Sequence, residues 1–104
     1  MSLAQGYGVV IVAVAANGTL VSQFGNCAAV PARTGAGVYT LTFTGRSFGN
    51  NDVNVTPTII GGAGNANIEF AWNANPGTVL NVTTFVGAVA TDEAWQVVIA
   101  PIAS

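Results

Sequence analysis

Val38-Tyr39-Thr40-Leu41-Thr42-Phe43-Thr44 alternates without a break: Tyr39, Leu41 and Phe43 fall on one side of an extended chain and the threonines on the other. A helix would scatter the three large apolar groups around its axis. A strand gathers them on one face, so the stretch predicts a half-buried β-strand with one face on a core and one in water.

Working outward, Gly35-Ala36-Gly37 turns the chain just before this strand, and a short extended segment precedes it at residues 28–33. Pro31 has no N–H to give to a ladder, which places that segment on a sheet edge. Further upstream, residues 9–15 are apolar on both faces and end at Asn17-Gly18, read as a type I′ turn that pairs them with residues 19–24 as a hairpin.

Downstream, residues 45–51 read as a loop and residues 52–60 as a strand that Pro57 confines to an edge or bulge. Gly61-Gly62-Ala63-Gly64-Asn65 is a turn. Ile68, Phe70 and Trp72 then alternate with Asn67, Glu69, Ala71 and Asn73, a second half-buried strand, and Asn75-Pro76-Gly77 reverses the chain. Leu80, Val82 and Val86 share a face that Thr83-Thr84 interrupts, and Trp95-Gln96-Val97-Val98-Ile99 closes the pattern. Strands spaced about ten residues apart predict an all-β fold, an antiparallel β-sandwich of jelly-roll or Ig-like type with seven to eight short strands. The expected organisation is an N-terminal arm, residues 1–8, and one β-sandwich domain, residues 9–104.

Composition narrows the function. The chain of 104 residues has 2 Lys+Arg, 4 Asp+Glu and no His, and only 6% of it is charged where ~25% is usual. High apolar content with so little charge is the reverse of a disordered chain. Two arginines and a net charge of -2 cannot neutralise the phosphates that nucleic-acid binding uses, nor form a polybasic membrane patch. The apolar run at residues 9–16 is eight residues long, less than half of the ~20 a membrane-spanning helix needs. Ala13-Val14-Ala15 has the form of a signal cleavage site, but no Lys or Arg precedes it. The expectation is therefore a protein made and kept in a cytoplasm until assembly.

The usual parts of an active site are missing. Without His, the commonest general base and metal ligand are gone. Ser2, Ser22, Ser47 and Ser104 have no His or Lys to take a proton. Asp52, Glu69, Asp92 and Glu93 are the only carboxylates for an acid/base pair, and they read as solvated turn or strand groups. Asn50-Asn51-Asp52 is the best oxygen-ligand cluster, with one carboxylate to hold calcium. Gly61-Gly62-Ala63-Gly64 lacks the lysine of a phosphate loop. Cys27, alone, reads as a small buried hydrophobe. No enzyme activity, cofactor or metal is expected. Trp72, Trp95, Tyr7, Tyr39 and Phe85 have faces that stack on a sugar ring, but each alternates in phase with core residues, which points to core or subunit contact.

A domain this small exposes about 35–40% of its unfolded-chain surface. With six ionisable side chains, that surface must be Asn, Thr, Ser, Gly and aliphatic. Mixed surface charge keeps small domains apart, and large apolar patches mark protein contacts, so the chain is expected to pack against copies of itself or a larger assembly. Leu3, Tyr7, Phe85 and Trp95 are the candidate interface residues.

At Arg33-Thr34-Gly35-Ala36-Gly37-Val38-Tyr39-Thr40-Leu41-Thr42-Phe43 the sequence resembles small β domains of bacteriophage virion proteins, found in capsid-decorating subunits and at the ends of head and tail fibres. Gln23-Phe24-Gly25, Val53-Asn54-Val55-Thr56-Pro57 and Asp92-Glu93-Ala94-Trp95 follow a similar order. The resemblance implies a homotrimeric sandwich in a virion, partnered by the major capsid protein or another virion protein. A fibre tip follows a long shaft, whereas this domain begins soon after Met1: for a complete gene product the resemblance favours capsid decoration, with residues 2–7 expected to touch the capsid, and for a cut fragment it favours a fibre end. Receptor or carbohydrate binding at a fibre tip is the alternative.

Overall fold

The computed structural model describes residues 9–25, 28–44, 53–62, 65–73 and 78–101. They form two antiparallel sheets packed face to face, the β-sandwich that the alternation predicts. The strands are β1 (Val10–Val14), β2 (Leu20–Phe24), β3 (Ala28–Gly35), β4 (Val38–Thr44), β5 (Val53–Ile59), β6 (Ala66–Trp72), β7 (Val79–Val86), β8 (Val89–Ala90) and β9 (Trp95–Pro101). Sheet A has the order β2-β1-β9-β5 and sheet B the order β3-β4-β7-β6, with β8 paired to β7. Three consecutive pairs, β1–β2, β3–β4 and β6–β7, are hairpins each within one sheet, β5 crosses from sheet B to sheet A and back, and β1 pairs with β9. Nine strands replace the expected seven to eight because two-residue β8 is too short to alternate.

The quoted strand is β4, and Tyr39, Leu41 and Phe43 are all buried. They meet Val10, Val12 and Val14 of β1, Leu80 and Val82 of β7, and Trp95, Val97 and Ile99 of β9 in one core. Both prolines sit where a missing donor is tolerated, Pro31 on edge strand β3 and Pro57 on edge strand β5. The expected interruption at Thr83-Thr84 does not occur. Thr84 continues the inner face with Leu80 and Val82, fully buried, because its Oγ1 donates to the Thr91 carbonyl at 2.6 Å and so loses no hydrogen bond.

The β1–β2 turn departs from type I′. Gly18 alone has positive φ, at 91°, and Asn17 does not. Gly18 N–H donates to the Ala15 carbonyl and Ala15 N–H to the Thr19 carbonyl, at 2.9 and 2.8 Å, a three-residue loop that closes with glycine in a bulge. Asn17 uses its side chain instead, accepting from Thr19 N–H at 3.0 Å.

Candidate functional site

Directly paired residues of antiparallel strands project to the same face, so the registers assign every side chain of sheet A. Val10, Ile99 and Val55 point into the core, as do Val12, Val97 and Pro57. Their neighbours point out. Phe24, Ile11, Val98 and Thr56 form one row across all four strands of the outer face, and Ser22, Ala13, Gln96 and Thr58 form the next. Asn54 and Ala100 complete it. No ionisable side chain stands among these ten. Phe24 is 65% exposed at the β2 edge, and Ile11 and Val98 are half-buried beside it. β2 is exposed throughout, and Val21 is 64% exposed at the register shift opposite Ala13 and Val14.

A second feature, a groove of mixed polar and apolar surface, lies where β5 and β6 run beside each other at the edge of the sandwich. An open groove of about 550 Å³ is lined there by Val53, Asn54, Val55, Phe70, Ala71 and Trp72. Trp72 packs on Phe43, with ring centroids 6.0 Å apart. Phe70 points inward by register, paired with Val82, yet remains exposed because β6 is an edge strand and no further strand covers it. It was expected in a half-buried position. No protein-family profile, curated protein or solved structure matches this chain.

The opposite end of the sandwich carries the ionic chemistry, in a structural arrangement. Arg33 Nε donates to both oxygens of Asp92 at 2.9 Å, and Gly37 N–H donates to Asp92 Oδ1 at 2.7 Å. These bonds hold the Asp92 carboxyl below the usual carboxylate range, the arginine bond contributing most, and the same pairing raises Arg33. Tyr39 donates its hydroxyl to the Ala16 carbonyl at 2.7 Å and accepts from Glu93 N–H at 3.3 Å. Burial raises its pKa above the ordinary phenol value. The cluster ties the β1–β2 turn, the β3–β4 turn and the segment before β9 together.

Other expected site residues are dispersed. Glu69 is exposed on the outer face of sheet B, far in sequence from Asp92 and Glu93, and no group of three His, Cys, Asp or Glu able to hold a metal occurs among the described residues. Leu3, Tyr7, Cys27 and Asn50-Asn51-Asp52 lie outside the described residues, as does the arm, residues 1–8. Phe85 is half-buried on the outer side of β7. Trp95 is wholly enclosed by its own chain, 5.6 Å from the Tyr39 ring, so no neighbouring molecule reaches it in this arrangement. Its place as an interface candidate passes to the residues of the outer row. Tyr39 is equally enclosed, which removes both rings from any sugar-stacking surface and leaves Trp72 and Phe70 at the groove. Phe24, Ile11 and Val98 were not singled out by sequence, although the signal was present: β1 and β9 are apolar on both faces, and only one face can belong to the core.

Proposed function

We propose that this chain is a non-enzymatic structural subunit that works as a homo-oligomer, a trimer, on a larger shell. The observation that carries the reading is the outer face of sheet A, whose apolar row Phe24, Ile11 and Val98 is accompanied by no ionisable group. An exposed sheet face normally carries charge, and covering a face without charge removes apolar area from water with no ion to desolvate. The resemblance of residues 33–43 to bacteriophage virion domains supplies the setting, capsid decoration. There, many weakly held copies act together on the major capsid protein.

Carbohydrate or receptor binding at a fibre tip is the second reading, favoured by Phe70 and Trp72 at an open groove. Among the described lining residues the hydrogen-bonding side chains are Asn54 and the Trp72 indole N–H, few for orienting a sugar, which weighs toward the structural role.

Native mass in solution over a range of concentrations tests the first reading. A trimer supports it and a monomer at every concentration overturns it. Capsids prepared with and without the protein then test the setting, which requires added resistance to heat. A glycan array is expected to be blank.

A further inference from the structure

We infer that Asn17 is a site of spontaneous covalent modification, the loss of its side-chain nitrogen as ammonia, which the native β1–β2 turn blocks and an opened turn permits. The inference is independent of the homo-oligomer reading.

Asn17-Gly18 is the chain's only Asn-Gly pair. A glycine nitrogen has no side chain beside it, so it approaches the preceding carboxamide more freely than any other residue's. In the reaction this nitrogen gives up its proton and bonds to Asn17 Cγ, the Cγ–Nδ2 bond breaks, and ammonia departs with that proton, leaving a five-membered cyclic imide. Water, the solvent, then opens the ring. Cleavage at Cγ yields aspartate, and cleavage at the main-chain carbonyl yields isoaspartate, whose backbone runs through Cβ.

The native turn opposes the first step in several ways. Gly18 N–H donates to the Ala15 carbonyl at 2.9 Å, so the attacking nitrogen is engaged and keeps its proton. Gly18 is buried although Asn17 beside it is exposed, and burial disfavours the amide anion. Gly18 also lies close against β3, where an added Cβ would stand 2.8 Å from Arg33 Cβ and 2.9 Å from the Arg33 nitrogen, which confines the peptide. The Asn17 carboxamide is itself held, its Oδ1 accepting from Thr19 N–H at 3.0 Å. These restraints end together when the turn lifts away. Two bonds anchor it, from the Tyr39 hydroxyl to the Ala16 carbonyl at 2.7 Å and from Ala15 N–H to the Thr19 carbonyl at 2.8 Å. Breaking them with the core intact is a local opening, which needs less free energy than global unfolding.

The two products differ in consequence. Aspartate keeps the same backbone and an oxygen for Thr19 N–H, so the turn closes again. Isoaspartate adds a backbone atom to a three-residue loop whose glycine has no spare room at Arg33, so the turn stays open. Modification therefore runs one way, with an open turn as both its entrance and its result.

The full chain incubated in mildly alkaline buffer, folded or in urea, tests this. Trypsin releases the peptide ending at Arg33, and its fragmentation separates change at Asn17 from change at Asn26. Folded wild type is expected to react on the order of tenfold or more slowly than the unfolded chain. Tyr39→Phe, which frees the Ala16 carbonyl, should raise the folded rate at least about fivefold, the equivalent of one hydrogen bond lost. Leu80→Ala weakens the core on β7 but removes no bond of the turn, and should react near the wild-type rate. Hydrogen exchange at Gly18 N–H gives a readout that needs no variant: in low urea, exchange and modification should accelerate in proportion. Equal rates in folded and unfolded chains would overturn the inference, since the turn would then block nothing. A faster folded rate would do the same, because Thr19 N–H would then be polarising the carboxamide for attack. Acceleration by Leu80→Ala as large as that by Tyr39→Phe would make global unfolding the gate, and would also overturn it.

Discussion

The Tyr39 ring leans on that of Trp95, with centroids 5.6 Å apart and planes inclined by 59°, while its hydroxyl leaves the core to donate to the Ala16 carbonyl at 2.7 Å. A tilted pair of this kind satisfies the aromatic quadrupoles, and the hydroxyl pins the β1–β2 turn to the core. Tyr39→Phe keeps the ring contact and removes the pin, leaving the Ala16 carbonyl and Glu93 N–H without that partner. The expected cost is about 1–3 kcal/mol. In urea unfolding the midpoint should fall with the slope unchanged. Burial raises the Tyr39 pKa, so the neutral phenol is favoured in the fold. That stability is complete below the unfolded value of ~10 and is lost as pH rises through the higher folded value, so Tyr39→Phe should also flatten the alkaline decline.

Gly37 has φ +68°, donates its N–H to Asp92 and accepts from Thr84 N–H at 2.8 Å. A Cβ there would lie 2.5 Å from the Thr91 nitrogen and 2.6 Å from the Thr84 carbonyl oxygen. Gly87 has nearly the same φ, +63°, with nothing within 4 Å of its added Cβ. Gly87→Ala therefore measures backbone strain alone, about 1–2 kcal/mol. Gly37→Ala adds a collision with two backbones and should cost roughly 3 kcal/mol or more. Equal losses in thermal unfolding would show that the Gly37 contact is not tight.

Asp92 gives the acid side of the pH profile. Its pKa is lowered, chiefly by the hydrogen bond from Arg33 and then by that from Gly37 N–H. A depressed carboxyl contributes stability above its unfolded value of ~3.9 and loses it as pH falls through the folded value. Wild-type Tm should accordingly drop below about pH 4. Asp92→Asn should start lower at pH 7 and converge with wild type in acid, and parallel curves would deny the pairing a role.

The features legible in sequence were local ones. Period-two alternation placed Tyr39, Leu41 and Phe43 in the core, and Pro31 and Pro57 marked edges because a missing donor is a property of the residue itself. Long-range consequences were hidden. Arg33 and Asp92 are 59 residues apart and meet only because the sheets fold over. Phe70 alternates like a core residue, yet its burial depends on β6 having a neighbour, which local pattern does not reveal. Trp95 is enclosed for the complementary reason, lying on a strand flanked by β1 and β5. The outer row of Phe24, Ile11 and Val98 needed the register of three strands, although two-faced apolar strands had announced that some second face would be covered.

The core and the outer face should respond differently to truncation. Leu80 is fully buried, so Leu80→Ala should cost about 2–5 kcal/mol in transfer and cavity terms. Phe24 is mostly exposed within its own chain, and Phe24→Ala should change the stability of the isolated subunit by no more than about 0.5 kcal/mol. Association reverses their ranking. A subunit that assembles when folded and not when unfolded has a Tm that rises with protein concentration. Calorimetry over a wide concentration range should show that rise for wild type and, from a lower baseline, for Leu80→Ala. Phe24→Ala should begin near the wild-type baseline and rise least, because its deleted ring contributes to contact between copies rather than to the fold. A concentration-independent Tm for all three proteins would mean that the outer face of sheet A does not join copies of the subunit.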